Sequence, residues 1–153
     1  MYNFGTKWEK YMFYGQKELL IDDKGRLVLS SNYREEFNDL TVFAAFGYDN
    51  CIELFKTVDY QRKAEEIMSL SDFDLQARKV KRTFLSNTFK LQLDSHGRVL
   101  LPKILIDKTL KSKKVMVVGM YDHLEIWDYD TFVKNQADND KSFAQDAQEV
   151  LGK

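Results

Sequence analysis

Short apolar runs alternate with turn-forming clusters along this chain, and the same order occurs twice. Glu18-Leu19-Leu20-Ile21 and Lys90-Leu91-Gln92-Leu93 read as short strands. Each is followed by a tight turn, Asp22-Asp23-Lys24-Gly25 or Asp94-Ser95-His96-Gly97. In both turns the aspartate can accept hydrogen bonds from turn amides, and the glycine supplies the positive φ that closure demands. Arg26–Leu29 and Arg98–Leu101 are then predicted return strands, after which Ser30 and Pro102 open short helices. Two more strands follow in each half, Val42–Phe46 with Ile52–Phe55 and Val115–Val118 with Leu124–Trp127. Turns containing Gly47 and Gly119 are expected to separate them. Between the halves, Val58–Leu70 and Phe73–Phe84 have helical amphipathic spacing, with a break near Ser71-Asp72. From Tyr129 to about Leu151 the chain is polar and acidic, which predicts a helix with a fraying end.

The two halves align without a gap, residues 18–60 on residues 90–132, at a constant offset of 72. Leu19, Asp22, Gly25, Arg26, Leu29, Gly47 and Glu53 fall on Leu91, Asp94, Gly97, Arg98, Leu101, Gly119 and Glu125. A unit of this length is too small to bury a core alone, so the copies must pack on each other or on other chains. The expected fold is mixed α/β and β-rich, built from a tandem duplication. Its divisions are an extension at 1–11, a first repeat at 12–60, connecting helices at 61–89, a second repeat at 90–132 and a C-terminal helix or tail at 133–153.

Composition narrows the class. With 153 residues, 44% hydrophobic and 31% charged, the chain suits one folded body, which excludes disorder. No apolar run approaches the roughly 18 residues of a membrane span, and the first residues lack the apolar core of a cleaved signal. A single cysteine, Cys51, permits no internal disulfide, so a cytoplasmic location is expected. The net charge of −1 hides a strong asymmetry: residues 78–114 hold eleven basic and two acidic residues, whereas 39–74 and 122–149 are acidic. That basic stretch is either a footprint for a polyanion or a solvated face neutralised by the acidic stretches, Lys111, Lys113 and Lys114 included.

Catalytic constellations are thin. The two histidines, His96 and His123, stand apart, and no phosphate loop or metal-ligand spacing occurs, so neither a cofactor nor a metal is expected. Cys51 reads as a packed small hydrophobe. Asp22 and Asp94 each neighbour an arginine that should lower the carboxylate pKa, which spoils them as general acids. The informative motif is Asp-Xaa-Xaa-Gly-Arg at 22–26 and again at 94–98. Two of only six arginines occupy this repeated place, against seventeen lysines elsewhere. A guanidinium held by an aspartate keeps donors pointing outward, which suits a guanine edge in the major groove or a backbone phosphate.

IDDKGRLVLSSNYR, LDSHGRVLLPKIL, the RTFLSNTFKL segment and the Glu-Ile-Trp strand at 125–127 together resemble the MraZ family of bacterial transcriptional regulators. The resemblance covers about residues 12–132, and Met12-Phe13-Tyr14-Gly15 resembles the usual start of that family. It implies a swapped-hairpin (AbrB-like) barrel in which the two copies interleave. It also implies a homo-oligomeric, octamer-like ring at the nucleoid that presents DxxxR loops to directly repeated boxes on double-stranded DNA upstream of the division and cell-wall gene cluster. Carried over by position, the DxxxR residues are Asp22 with Arg26 and Asp94 with Arg98; the candidate DNA-binding set adds Lys24, Gly25, His96 and Gly97, with Lys24 and His96 expected to meet phosphates beside the arginines. Ser30 replaces the family's proline. Arg34 matches a family arginine, but its counterpart is Ile106, which argues for a structural ion pair as much as for a DNA contact. The rival reading is an oligomeric interaction scaffold that binds no DNA.

Overall fold

The computed structural model describes residues 12–37 and 39–153, so the extension expected at 1–11 lies outside the described residues. In chain order the elements are β1 (Gln16–Leu20), β2 (Arg26–Val28), α1 (Ser31–Arg34), β3 (Thr41–Phe46), β4 (Ile52–Phe55), α2 (Thr57–Met68), α3 (Leu75–Ser86), β5 (Phe89–Gln92), β6 (Arg98–Leu100), α4 (Lys103–Thr109), β7 (Lys114–Gly119), β8 (His123–Asp128) and α5 (Tyr129–Leu151).

Six strands form one antiparallel sheet in the order β1-β7-β8-β4-β3-β5, and β2 pairs antiparallel with β6 in a separate ladder. The first strand of each copy therefore pairs with the third strand of the other, which is the swapped, tandem-duplicated arrangement. The predicted local hairpins open instead of closing. After two turn bonds, Asp22 N–H to the Arg26 carbonyl and Gly25 N–H to the Asp22 carbonyl, β1 runs into the large sheet and β2 leaves for the ladder. A local pseudo-twofold follows: Leu27 faces Val99 in the ladder and Glu53 faces Glu125 at the sheet centre, each pair at the repeat offset.

Alternation along the strands divides the sheet into two faces. Val42, Ala44, Ile52, Leu54, Val115, Val117, Leu124 and Ile126 pack against Leu27, Leu29, Val99, Tyr33 and Leu105, so the ladder, α1 and α4 close over this face as a barrel. Ala45 and Phe55 point the other way and meet Tyr60, Ile67 and Phe84 of α2 and α3. Phe43 and Phe84 stack on the Tyr60 ring at 4.6 and 5.6 Å. Asp74 caps α3 by accepting from Gln76 N–H at 2.8 Å. Ser30 holds the N-cap place of α1 without capping it; its hydroxyl donates to Asn32 Oδ1. Asp128 caps α5, which continues unbroken to Leu151.

The gapless repeat is corrected at one strand. Val42 and Val115 face the equivalent residues Leu91 and Leu19, and Ala44 and Val117 face Leu54 and Ile126. Across β3 and β7 the copies thus correspond at an offset of 73, because the first copy has the longer hairpin turn. Gly119 consequently ends β7 and is not a turn residue like Gly47. It serves a different purpose: a Cβ there would lie 2.2 Å from Tyr14 N and 2.5 Å from its Cα. That close approach lets Phe13 bridge to Tyr121 and Gly119 N–H donate to the Gly15 carbonyl at 2.8 Å. Gly119→Ala should displace this backbone and lower stability by about 1–3 kcal/mol. Urea unfolding with an unchanged midpoint would refute the packing argument.

Candidate nucleic-acid interface

Both DxxxR turns are built alike. Asp22 Oδ1 accepts from Lys24 N–H at 2.9 Å and Arg26 N–H at 2.8 Å, and Oδ2 accepts from Arg26 Nε at 2.6 Å. In the second copy Asp94 Oδ1 accepts from His96 N–H at 2.8 Å and Arg98 N–H at 2.9 Å, and Oδ2 accepts from Arg98 Nε at 2.7 Å. Gly25 and Gly97 close the turns at φ +85° and +73°, where a side chain would be strained. The backbone amide of Arg26 is the main cause that holds the Asp22 carboxyl below its usual range; partial burial opposes it, and the Arg26 side chain and Lys24 amide reinforce it. The equivalent amides and side chain bring Asp94 to about 2. Both aspartates therefore stay anionic and grip Nε. Among the described residues, the terminal guanidinium nitrogens have no hydrogen-bond partner, and both arginine side chains are 31% exposed.

The turns lie at opposite ends of the short ladder, yet the arginines do not sit at their tips. They are the first residues of β2 and β6, opposite Leu100 and Val28. With Leu27 and Val99 sealed inside, Arg26 and Arg98 project from one shared outer face, about 7–8 Å apart along a diagonal. Lys24 and His96 are exposed in the turns themselves.

Each turn is also covered by the opposite copy. The Arg34 side chain fills the space where a Cβ on Gly97 would stand, and its Nη1 donates to the His96 carbonyl at 3.4 Å. Ile106, the equivalent residue, brings its Cδ1 to 3.0 Å from the Cβ position of Gly25. Among the described residues Arg34 makes this carbonyl contact and no ion pair, the structural one of the two roles left open for it. The position is a packing position shared by both copies, and this puts a third guanidinium beside the second turn. The offset of 72 already related Arg34 to Ile106, but no local pattern tells which turn they cover.

The basic stretch is not one patch. Arg78 and Lys81 lie on α3, against the sheet face remote from the ladder, where they contact Asp72. Lys113 pairs with Asp23 and Lys114 with Glu18 at 2.7 Å, both acids of the first repeat, and the charge of Asp130 adds to the field at Lys114. Lys24, Lys103, Lys111 and Lys113 border a cleft beside the first turn. Cys51 is fully buried, and burial pushes its thiol pKa up, with Glu125 and Glu53 adding to the effect. Among the described residues no helix is long and apolar enough to cross a membrane.

A family described as "MraZ protein, putative antitoxin-like" matches this chain twice, over residues 12–83 and 84–153. Among curated relatives, a "Transcriptional regulator MraZ" of Mycoplasmoides gallisepticum is 34% identical over 131 residues, covering 85% of this chain and 92% of the relative. Proteins of the same name from Ureaplasma urealyticum, 33% identical, and Mesoplasma florum, 28% identical, cover 88% and 93% of this chain and 95% and 99% of their own lengths. With two family matches in tandem on two interleaved copies, the chain belongs to the MraZ family.

Proposed function

We propose that this protein is a transcriptional regulator that binds double-stranded DNA sequence-specifically, without catalysis, through Arg26 and Arg98. The observation that carries the reading is the twice-built grip of an aspartate on Nε, with terminal nitrogens that have no partner among the described residues and lie on one common face. Relatives along most of the chain bear the name of a transcriptional regulator. In this reading Asp22 and Asp94 fix the fork, Gly25 and Gly97 permit the turn, and Lys24 and His96 meet phosphates. Asp22 and Asp94 have no role as proton donors, because carboxyls held below their ordinary range stay ionised near neutral pH.

One subunit offers two arginines, too few contacts for tight binding. A homo-oligomeric ring, octamer-like in size, would align several faces on directly repeated boxes upstream of the division and cell-wall genes and raise avidity without new contacts. Such binding places the protein on the nucleoid.

Arg26→Ala and Arg98→Ala should each weaken binding to the DNA upstream of the protein's own gene by about 1–3 kcal/mol, roughly fivefold to 150-fold. Fluorescence anisotropy reads the affinity, and solution mass verifies that assembly is intact. Wild-type affinity in both variants would remove the arginines from the mechanism. Added salt should weaken wild-type binding steeply, since lysine–phosphate contacts release counterions; a scaffold that binds no DNA would show no such dependence.

A further inference from the structure

The shared outer face of the β2–β6 ladder carries four side chains, and two of them are apolar. Val28 lies opposite Arg98, and Leu100 lies opposite Arg26. They are 52% and 55% exposed, while Leu27 and Val99 between them are fully sealed. Scattered exposed apolar residues are ordinary on protein surfaces. These two differ in that they occupy equivalent places in both copies and complete a square whose other corners are the outward guanidinium groups.

We propose that this ladder enters the major groove as a two-stranded ribbon and that Val28 and Leu100 select thymine by packing on its C5-methyl group. The proposal rests on the DNA-binding reading above. A major groove about 12 Å wide admits a two-stranded ribbon, and thymine alone among the four bases places a methyl group there. Residues two apart on a strand are separated by about 6.6–6.8 Å, close to two base-pair steps. Each apolar residue should therefore meet a thymine about two base pairs from the guanine contacted by its own strand's arginine. The arginines alone specify guanine; the apolar pair fixes what stands beside it.

The test replaces the thymines of the upstream DNA one at a time by deoxyuridine, which keeps base pairing and removes only the methyl group. Wild-type protein should lose affinity about fourfold at each contacted thymine, the worth of one buried carbon. Val28→Ala and Leu100→Ala should each abolish that discrimination at one thymine of the box. Both should keep the loss caused by 7-deazaguanine, which removes the N7 acceptor facing arginine. Equal affinity for thymine and deoxyuridine at every position, in DNA that is still bound, would overturn this proposal and spare the DNA-binding reading. Absence of salt-sensitive binding by wild type would overturn both. Variants that fall to smaller assemblies and lose affinity equally on both DNAs would mark the pair as a subunit contact and overturn the methyl readout.

Discussion

Phe13→Ala should lower stability by about 3–5 kcal/mol, the usual cost of emptying a fully buried aromatic site. The ring is 1% exposed and sits 5.4 Å from Phe37 and 6.1 Å from Tyr33, centroid to centroid. Its backbone forms the bridge to Tyr121 that Gly119 makes possible. The site cannot collapse easily, because the sheet on one side and α1 on the other are held by contacts that do not involve Phe13. The measurement is a urea midpoint with the slope checked for constancy. Phe73→Ala supplies the comparison: that ring is 99% exposed, so its loss should change stability by no more than about 0.5 kcal/mol. Similar effects in the two variants would contradict the burial argument.

Lys63→Met should cost about 2–4 kcal/mol, because removing one partner of a buried ion pair strands the other's charge. At the pseudo-twofold the fold sets two acids face to face, Glu53 at 4% exposure and Glu125 beside it. Lys63 Nζ lies 2.7 Å from Glu53 Oε1, and Trp127 Nε1 donates to Glu125 Oε1 at 2.9 Å. His123 lies against the same group: Nδ1 is 2.7 Å from Asp122 Oδ1, and Nε2 is 3.5 Å from Oε2 of both glutamates. Methionine keeps most of the lysine stem and removes the charge, leaving a buried carboxylate without its main partner. Adding Glu53→Gln should recover most of the stability, an outcome that a simple packing defect would not produce.

The pH dependence follows from His123. Burial pushes its imidazole towards neutrality, but contacts with Glu125 and Asp122 and the charge of Glu53 outweigh it, so its pKa is raised above 6.5 in the folded protein. A raised folded value stabilises fully below the unfolded pKa, and the contribution is lost as pH rises through the folded one. Stability of the wild type should therefore fall on going from mildly acidic to mildly alkaline solution. His123→Gln should flatten that slope, and an unchanged slope would take the imidazole out of the account.

Several features were legible from residue patterns because they are set by local chemistry. The Asp-Xaa-Xaa-Gly-Arg turns form as read, since aspartate, amides and a positive-φ glycine lie within five residues of one another. Strand and helix placement followed the apolar spacing, and the break before α3 coincides with its aspartate cap. What failed to show was pairing at a distance. Gly119 looked like a turn glycine until the one-residue shift of β3 was visible. The Lys113–Asp23 pair joins residues 90 positions apart, and nothing near either residue announces the other. The compact basic patch suggested by charge counting is divided because α3 and the ladder lie on opposite faces of the sheet.

The sequence alone determined that two copies of one unit exist, where the Asp-Xaa-Xaa-Gly-Arg turns and the strands beside them fall, and which arginines are singled out. Those properties depend on spacing and on groups a few residues apart. Only the tertiary structure decided which strands the interleaved copies exchange, that Glu53 meets Glu125 at the pseudo-twofold, and that Arg26 and Arg98 share a face with Val28 and Leu100. The reason is physical: strand partners are chosen by the burial of whole faces across the molecule. Shifting a register by one residue would turn every side chain of that strand to the wrong side.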